Sequence, residues 1–109
     1  MSTASLASLE KLIGGPRDGA LLRYALGCEY LQRERHADAI AAFNAVLERD
    51  PRYSAAWKLL GKAYAATGDA TAARTTWERG IAVAEERGDV QASKEMRVFL
   101  RRLDKNAGT

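Results

Sequence analysis

One pattern of spacing constrains this chain more than anything else in it. Leu60, Gly61 and Tyr64, followed by Ala73 and Trp77, recur 34 positions upstream as Leu26, Gly27, Tyr30, Ala39 and Phe43. A self-match at a period of about 20–50 residues marks a stack of repeated supersecondary units, each unable to bury its own apolar face alone. Within each unit the apolar positions keep helical spacing. Leu22, Leu26, Tyr30 and then Ala39, Ile40, Phe43, Val46 and Leu47 serve the first; Trp57, Leu60, Tyr64 and then Ala73, Trp77 and Ile81 serve the second. A glycine inside a helix costs about 0.5–1 kcal/mol against alanine, so finding one at the same offset twice points to a packing cause. Gly27 and Gly61 let a neighbouring helix come close, Ala39 and Ala73 do the same on that neighbour, and the aromatics fill the space around the contact.

Punctuation divides the chain into helices. Leu6, Leu9, Leu12 and Ile13 form an apolar stripe on a short first helix over 2–13, ended by Gly14-Gly15-Pro16. Asp18 is the expected N-cap of a helix over 19–33, and Arg33-Glu34-Arg35-His36 is the turn to a helix over 37–49. Asp50-Pro51 stops that one, because the residue before proline is pushed out of the helical region. A helix over 53–66 follows, then Thr67-Gly68-Asp69 as break and recap, then a helix whose missing closing proline lets it run on toward Gly88-Asp89. The last helix, over 90–104, presents Met96, Phe99, Leu100 and Leu103, and residues 106–109 are expected to be loose.

Composition sets broad limits. The 109 residues suit one domain. No apolar run reaches the roughly 20 residues of a membrane-spanning helix, no signal peptide is visible, and the single Cys28 permits no internal disulfide, so a cytoplasmic protein is expected. The net charge of +3 is unevenly placed, with the basic excess in the second half, far below the density of a nucleic-acid binder.

The pattern W-x2-L-G-x2-Y, read from Trp57 to Tyr64, resembles a tetratricopeptide repeat, and the resemblance covers residues 20–87. It implies an all-α fold, a right-handed helical stack (α-α superhelix) of about five to six antiparallel helices. The expected division is an N-terminal helix (2–16), repeat 1 (20–53), repeat 2 (54–87) and a C-terminal capping helix (89–105). Lys94 and Glu95 stand where a third repeat would need Leu-Gly, so the last helix reads as a cap. Arg23 departs from the pattern at the place of Trp57, Glu34 at the place of Gly68, and Gly80 at the place of Val46. The resemblance also implies a concave groove lined by the first helix of each unit. That face takes Leu21, Tyr24, Ala25, Cys28 and Leu31, then Ala55, Lys58, Leu59 and Lys62, and on the last helix Ser93 and Met96. Certain members of the family clamp a partner's terminal carboxylates with a Lys/Asn/Lys/Arg set; Tyr24 and Cys28 occupy the first two such places, so that clamp is not expected here.

Chemistry is hard to assemble. His36, the only histidine, sits in a charged turn with nothing to orient its proton. Cys28 has no base on its helix, and no metal-ligand spacing occurs. Gly14 to Gly19 lacks the Gly-Lys-Ser/Thr of a phosphate loop. Neither an enzyme nor a cofactor is expected. Two surfaces are candidates for binding another protein. The groove offers Tyr24, Cys28, Leu31, Lys58, Leu59 and Lys62, with the two lysines side by side and suited to an acidic peptide segment. The last helix offers a basic surface of Lys94, Arg97, Arg101, Arg102 and Lys105. A non-enzymatic adaptor is the leading reading; a small basic RNA-associated protein, or an obligate subunit, is the alternative. Nucleic acid is disfavoured because no aromatic interleaves the basic stripe. A monomer is expected, with a homodimer through the end helices as the other arrangement.

Overall fold

A computed structural model describes residues 3–107 of the chain, arranged as six α-helices with no strand among them. They are α1 (Thr3–Glu10), α2 (Ala20–Gln32), α3 (His36–Arg49), α4 (Ser54–Ala66), α5 (Ala70–Arg87) and α6 (Val90–Ala107). The all-α helical stack expected from the spacing is what forms. Helices α2 and α3 pair as one hairpin and α4 and α5 as the next, while α1 lies on α2 and α6 on α5.

Each hairpin closes where a glycine meets an aromatic ring. A Cβ on Gly27 would lie 2.5 Å from Phe43 Cε1, and one on Gly61 would lie 2.5 Å from Trp77 Cδ1, with Nε1 and Cε2 of the indole closer still. Ala39 and Ala73 are fully buried beside them, as is Phe43. Gly80 is a third such contact, this time between successive helices of the stack. Its missing Cβ leaves room for Met96 Sδ at 2.6 Å and Trp57 Cβ at 2.7 Å. The core is continuous. One cluster gathers Leu6, Leu22, Leu26, Tyr30, Phe43, Val46 and Leu60, a second Trp57, Trp77, Ile81, Ala92 and Met96, and Leu47 and Tyr64 pack against both.

The two hairpin turns share one geometry despite different residues. Glu34 has φ +59° and Gly68 φ +86°; the next amide donates to the carbonyl five residues back, Arg35 to Tyr30 at 2.9 Å and Asp69 to Tyr64 at 3.0 Å. Gly88 repeats the left-handed stop at φ +76°, and Asp69 and Asp89 then cap their helices by accepting from Ala72 and Ala92. Arg23 and Trp57, which differ in the repeat pattern, do one job: each pins the loop before its helix, Arg23 on the Asp18 carboxylate and Trp57 on the Pro51 carbonyl at 2.8 Å.

Four local expectations are corrected. Asp18 does not cap α2, because the helix starts at Ala20 and Gly19 takes the cap position; the carboxylate instead accepts from the Gly14 amide and the Arg23 guanidinium. Helix α1 ends at Glu10 and unwinds through tight turns at Leu12, Ile13 and Gly15, which leaves Ile13 exposed and off the apolar stripe. Its expected first residue, 2, lies outside the described residues. His36 is the first residue of α3 and no longer part of the turn. Helix α6 continues through Asn106 to Ala107, and the expectation for 108–109 lies outside the described residues.

The spacing of the helices is not constant. Ser54 follows Ala20 by 34 positions, but Val90 follows Ser54 by 36. Helix α5 has 18 residues against 14 in α3, and the Gly88-Asp89 link is shorter than the stretch from Asp50 to Tyr53. Thus Ala92, Ser93 and Met96 take the buried places of Ala56, Trp57 and Leu60.

Candidate partner-binding groove

Helix α2 approaches α4, and α4 approaches α6, whereas α3 and α5 nowhere come close to each other. The first helices of the units are therefore on the inside of the curve. Their shared face is the groove.

At its N-terminal end the groove is aromatic. Tyr24 stacks on Tyr53 with centroids 5.0 Å apart and meets Phe43 at 5.9 Å. Cys28 lies beside both tyrosines, and Leu31 and Leu59, like them, pack half-buried against the first core cluster. Burial pushes the Tyr24 hydroxyl up to about 12, with the Cys28 neighbour adding to it, and burial likewise raises the Cys28 thiol. These groups stay neutral at ordinary pH, which makes Cys28 a small apolar lining residue and a poor nucleophile. Leu21 stands 75% exposed on α2, and Ala25 and Ala55 are half-buried.

The C-terminal half carries the charge. Lys58 donates to Glu95 of α6 at 3.1 Å, and one turn on the Lys62 ammonium lies 5.4 Å from the centroid of the Phe99 ring. Both lysines thus bridge α4 to α6. Ser93 and Met96, expected on this face, are buried instead, Met96 completely. The two-position shift of α6 turns them into the core, and it brings Glu95 and Phe99 to the groove in their place. The repeat period held no signal for these two residues, nor for Tyr53; only the length of α5 could have pointed to the shift.

The basic surface on α6 is partly neutralised. Arg97 is paired with Glu85, and Arg74 of α5 with Asp104. Lys94, Arg101, Arg102 and Lys105 are exposed and make no ion pair among the described residues. Among the described residues no cluster of His, Cys, Asp or Glu is placed to hold a metal, and no helix is long and apolar enough to cross a membrane.

Comparison with known proteins agrees with this geometry. A model of the tetratricopeptide repeat family matches residues 24–92. The chain is 49% identical over 100 residues to the TPR repeat-containing protein PA0015 of Pseudomonas aeruginosa, covering 92% of this chain and 95% of that one. The solution structure of protein BPP2914 from Bordetella parapertussis superposes with a TM-score of 0.86 at 43% identity, over 96% of this chain and 91% of that one. A tetratricopeptide repeat domain protein from Salinibacter ruber, solved in solution, gives a TM-score of 0.74 at 31% identity, over 83% and 90%. With two helix-turn-helix units closed by glycine–aromatic contacts and a shared inner face, the chain belongs to the tetratricopeptide repeat family of protein–protein interaction modules.

Proposed function

We propose that this protein is a non-enzymatic adaptor that holds a peptide segment of a partner protein along the inner face of α2, α4 and α6. The observation that carries the reading is the make-up of that face. Tyr24, Cys28 and Leu31 on α2 and Leu59 on α4 are half-buried apolar groups, and Lys58 and Lys62 add two cations on α4. Apolar area supplies affinity at about 25 cal/mol for each Å² removed from water. The lysines select an acidic segment more by steering and by rejecting basic sequences than by raw affinity. Lys58 is already held by Glu95, so a carboxylate of the partner takes over a preformed cation.

A photo-cross-linking residue at Leu59, or separately at Arg101, tests this. Partner captured from native extract at Leu59 and not at Arg101, with capture reduced by Lys58→Gln and Lys62→Gln together, supports the groove. Capture at Arg101 alone refutes it. That result favours a second reading, in which the unpaired Lys94, Arg101, Arg102 and Lys105 bind an acidic protein or RNA.

A further inference from the structure

Past the Lys62–Phe99 contact, the space between α4 and α6 opens into a hollow of about 420 Å³. Its apolar surface comes from Ala65, Ala66, Trp77, Phe99 and Leu103, with Asn106 at the far end. The Trp77 ring lies 5.3 Å from Phe99 and is fixed by its Nε1 donating to the Lys58 carbonyl at 2.9 Å. The floor of the hollow is therefore held in place. Two cations stand at the rim, Lys62 and Arg102, and among the described residues no carboxylate lines the hollow. Helix α6 has two carboxylates, and both are committed elsewhere, Glu95 to Lys58 and Asp104 to Arg74. Arg102 is exposed and has no ion-pair partner among the described residues.

An apolar hollow whose charged lining residues are both cations complements one kind of occupant, an apolar side chain with negative charge on either side of it. We propose that the hollow is a binding site for a short protein segment carrying a leucine or phenylalanine flanked by aspartate or glutamate. Its volume lies within the range of about 300–1,000 Å³ found for ligand sites. The apolar side chain inserts between Ala65, Phe99 and Leu103, and the flanking carboxylates meet Lys62 and Arg102. Selectivity is two-sided: a basic flank is repelled at the rim, and a segment without the apolar residue leaves the hollow unfilled. The site rests on the groove reading, since the rest of the segment runs along α4 and α6. It adds, to the charge selection by the groove lysines, a selective apolar contact at the C-terminal mouth.

The test titrates the full, isotope-labelled chain with a short synthetic peptide in which Leu-Phe is flanked on both sides by glutamates, and follows amide and indole resonances. The expected shifts centre on Ala65, Trp77, Phe99 and Leu103. Arg102→Glu should weaken the peptide about tenfold, the scale of one displaced charge contact. Lys94→Glu, on the same helix and about 12 Å away by helical rise, should leave binding unchanged. Replacing Leu-Phe by Ser-Ser should abolish it. If the serine peptide binds as well as the parent, only charge attracts it and the hollow is not a site. Shifts centred on Tyr24, Cys28 and Leu59 overturn the hollow and leave the groove reading standing. A peptide that shifts nothing, or a uridine oligonucleotide that alone moves these resonances, overturns it too.

Discussion

Gly61→Ala is the smallest change that tests how this stack is held together. Two effects oppose each other. Alanine is about 1 kcal/mol better than glycine within a helix, so an unconstrained site would be stabilised. At Gly61 the new methyl would instead sit 2.5 Å from Trp77 Cδ1 and nearer still to its Nε1 and Cε2. The indole must move, and Trp77 is 97% buried, so it moves against packed neighbours. Overpacking of this kind costs about 1–3 kcal/mol. Displacing the ring also breaks the Nε1 bond to the Lys58 carbonyl, a loss of about 1 kcal/mol. The clash wins, and the net destabilisation is about 1–3 kcal/mol once the propensity gain is subtracted. Urea titration followed by far-ultraviolet circular dichroism reads it as a lowered midpoint at unchanged slope. In a Trp77→Phe background the ring is smaller and the hydrogen bond already gone, so the same glycine change should cost about 1 kcal/mol less. Gly27→Ala, which meets Phe43 and breaks no hydrogen bond, should be the milder of the two. A Gly61→Ala protein as stable as the parent, or more so, would refute the reasoning. It would mean that the indole yields freely and that helix propensity decides.

Three further changes probe other parts of the fold. Deleting residues 90–109 uncovers Trp77, Ile81 and Ala84, so the shortened chain should aggregate or bind a hydrophobic dye; a cooperative monomer would show that α6 is not needed to close the core. Gly68→Ala should lower stability by about 1 kcal/mol and Glu34→Gly should raise it by less than that, because both sites are left-handed and only one has the residue suited to it; equal effects in a thermal melt would refute this. The Asp18 carboxyl is held down to about 2 by the Arg23 guanidinium, the Gly14 amide and nearby Arg49. Its stabilising contribution is therefore fully present above the unfolded value near 4 and is lost as pH falls toward 2. Asp18→Asn should flatten the acid limb of stability in that window alone, and a limb of unchanged slope would show that the clasp contributes nothing.

The parts of this fold that were legible in the sequence are those set by steric exclusion over a short stretch of chain. Gly27 and Gly61 are each followed 16 positions on by the ring that needs the gap, so the hairpin contact is written inside one unit. The polar stretch from Arg33 to His36 located the first turn, but Glu34 gave no sign of its left-handed geometry, because a left-handed residue need not be glycine. The same holds for Asp18: its distance from the first apolar residue suits a cap, but Gly19 is there to take the position and Arg23 offers the carboxylate a stronger partner.

The groove was harder to read because its composition depends on a length. A repeat period predicts which residue lies opposite which only while every unit has the same number of residues. Helix α5 is one turn longer than α3, and a glycine in the left-handed region then closes the chain within two residues. The net displacement of two positions rotates α6 by about 200° on a 3.6-residue helix relative to the register the period implies. Such a rotation exchanges one face for the other. It buries Met96 against Gly80, where a branched residue such as Val46 in the first unit would leave no space, and it sends Glu95 to Lys58 and Phe99 to Lys62. Gly80 and the long α5 therefore belong together: the glycine admits the sulfur that the rotation presents to it. The acidic residue that neutralises one groove lysine, and the ring that borders the C-terminal hollow, are both consequences of that one extra turn.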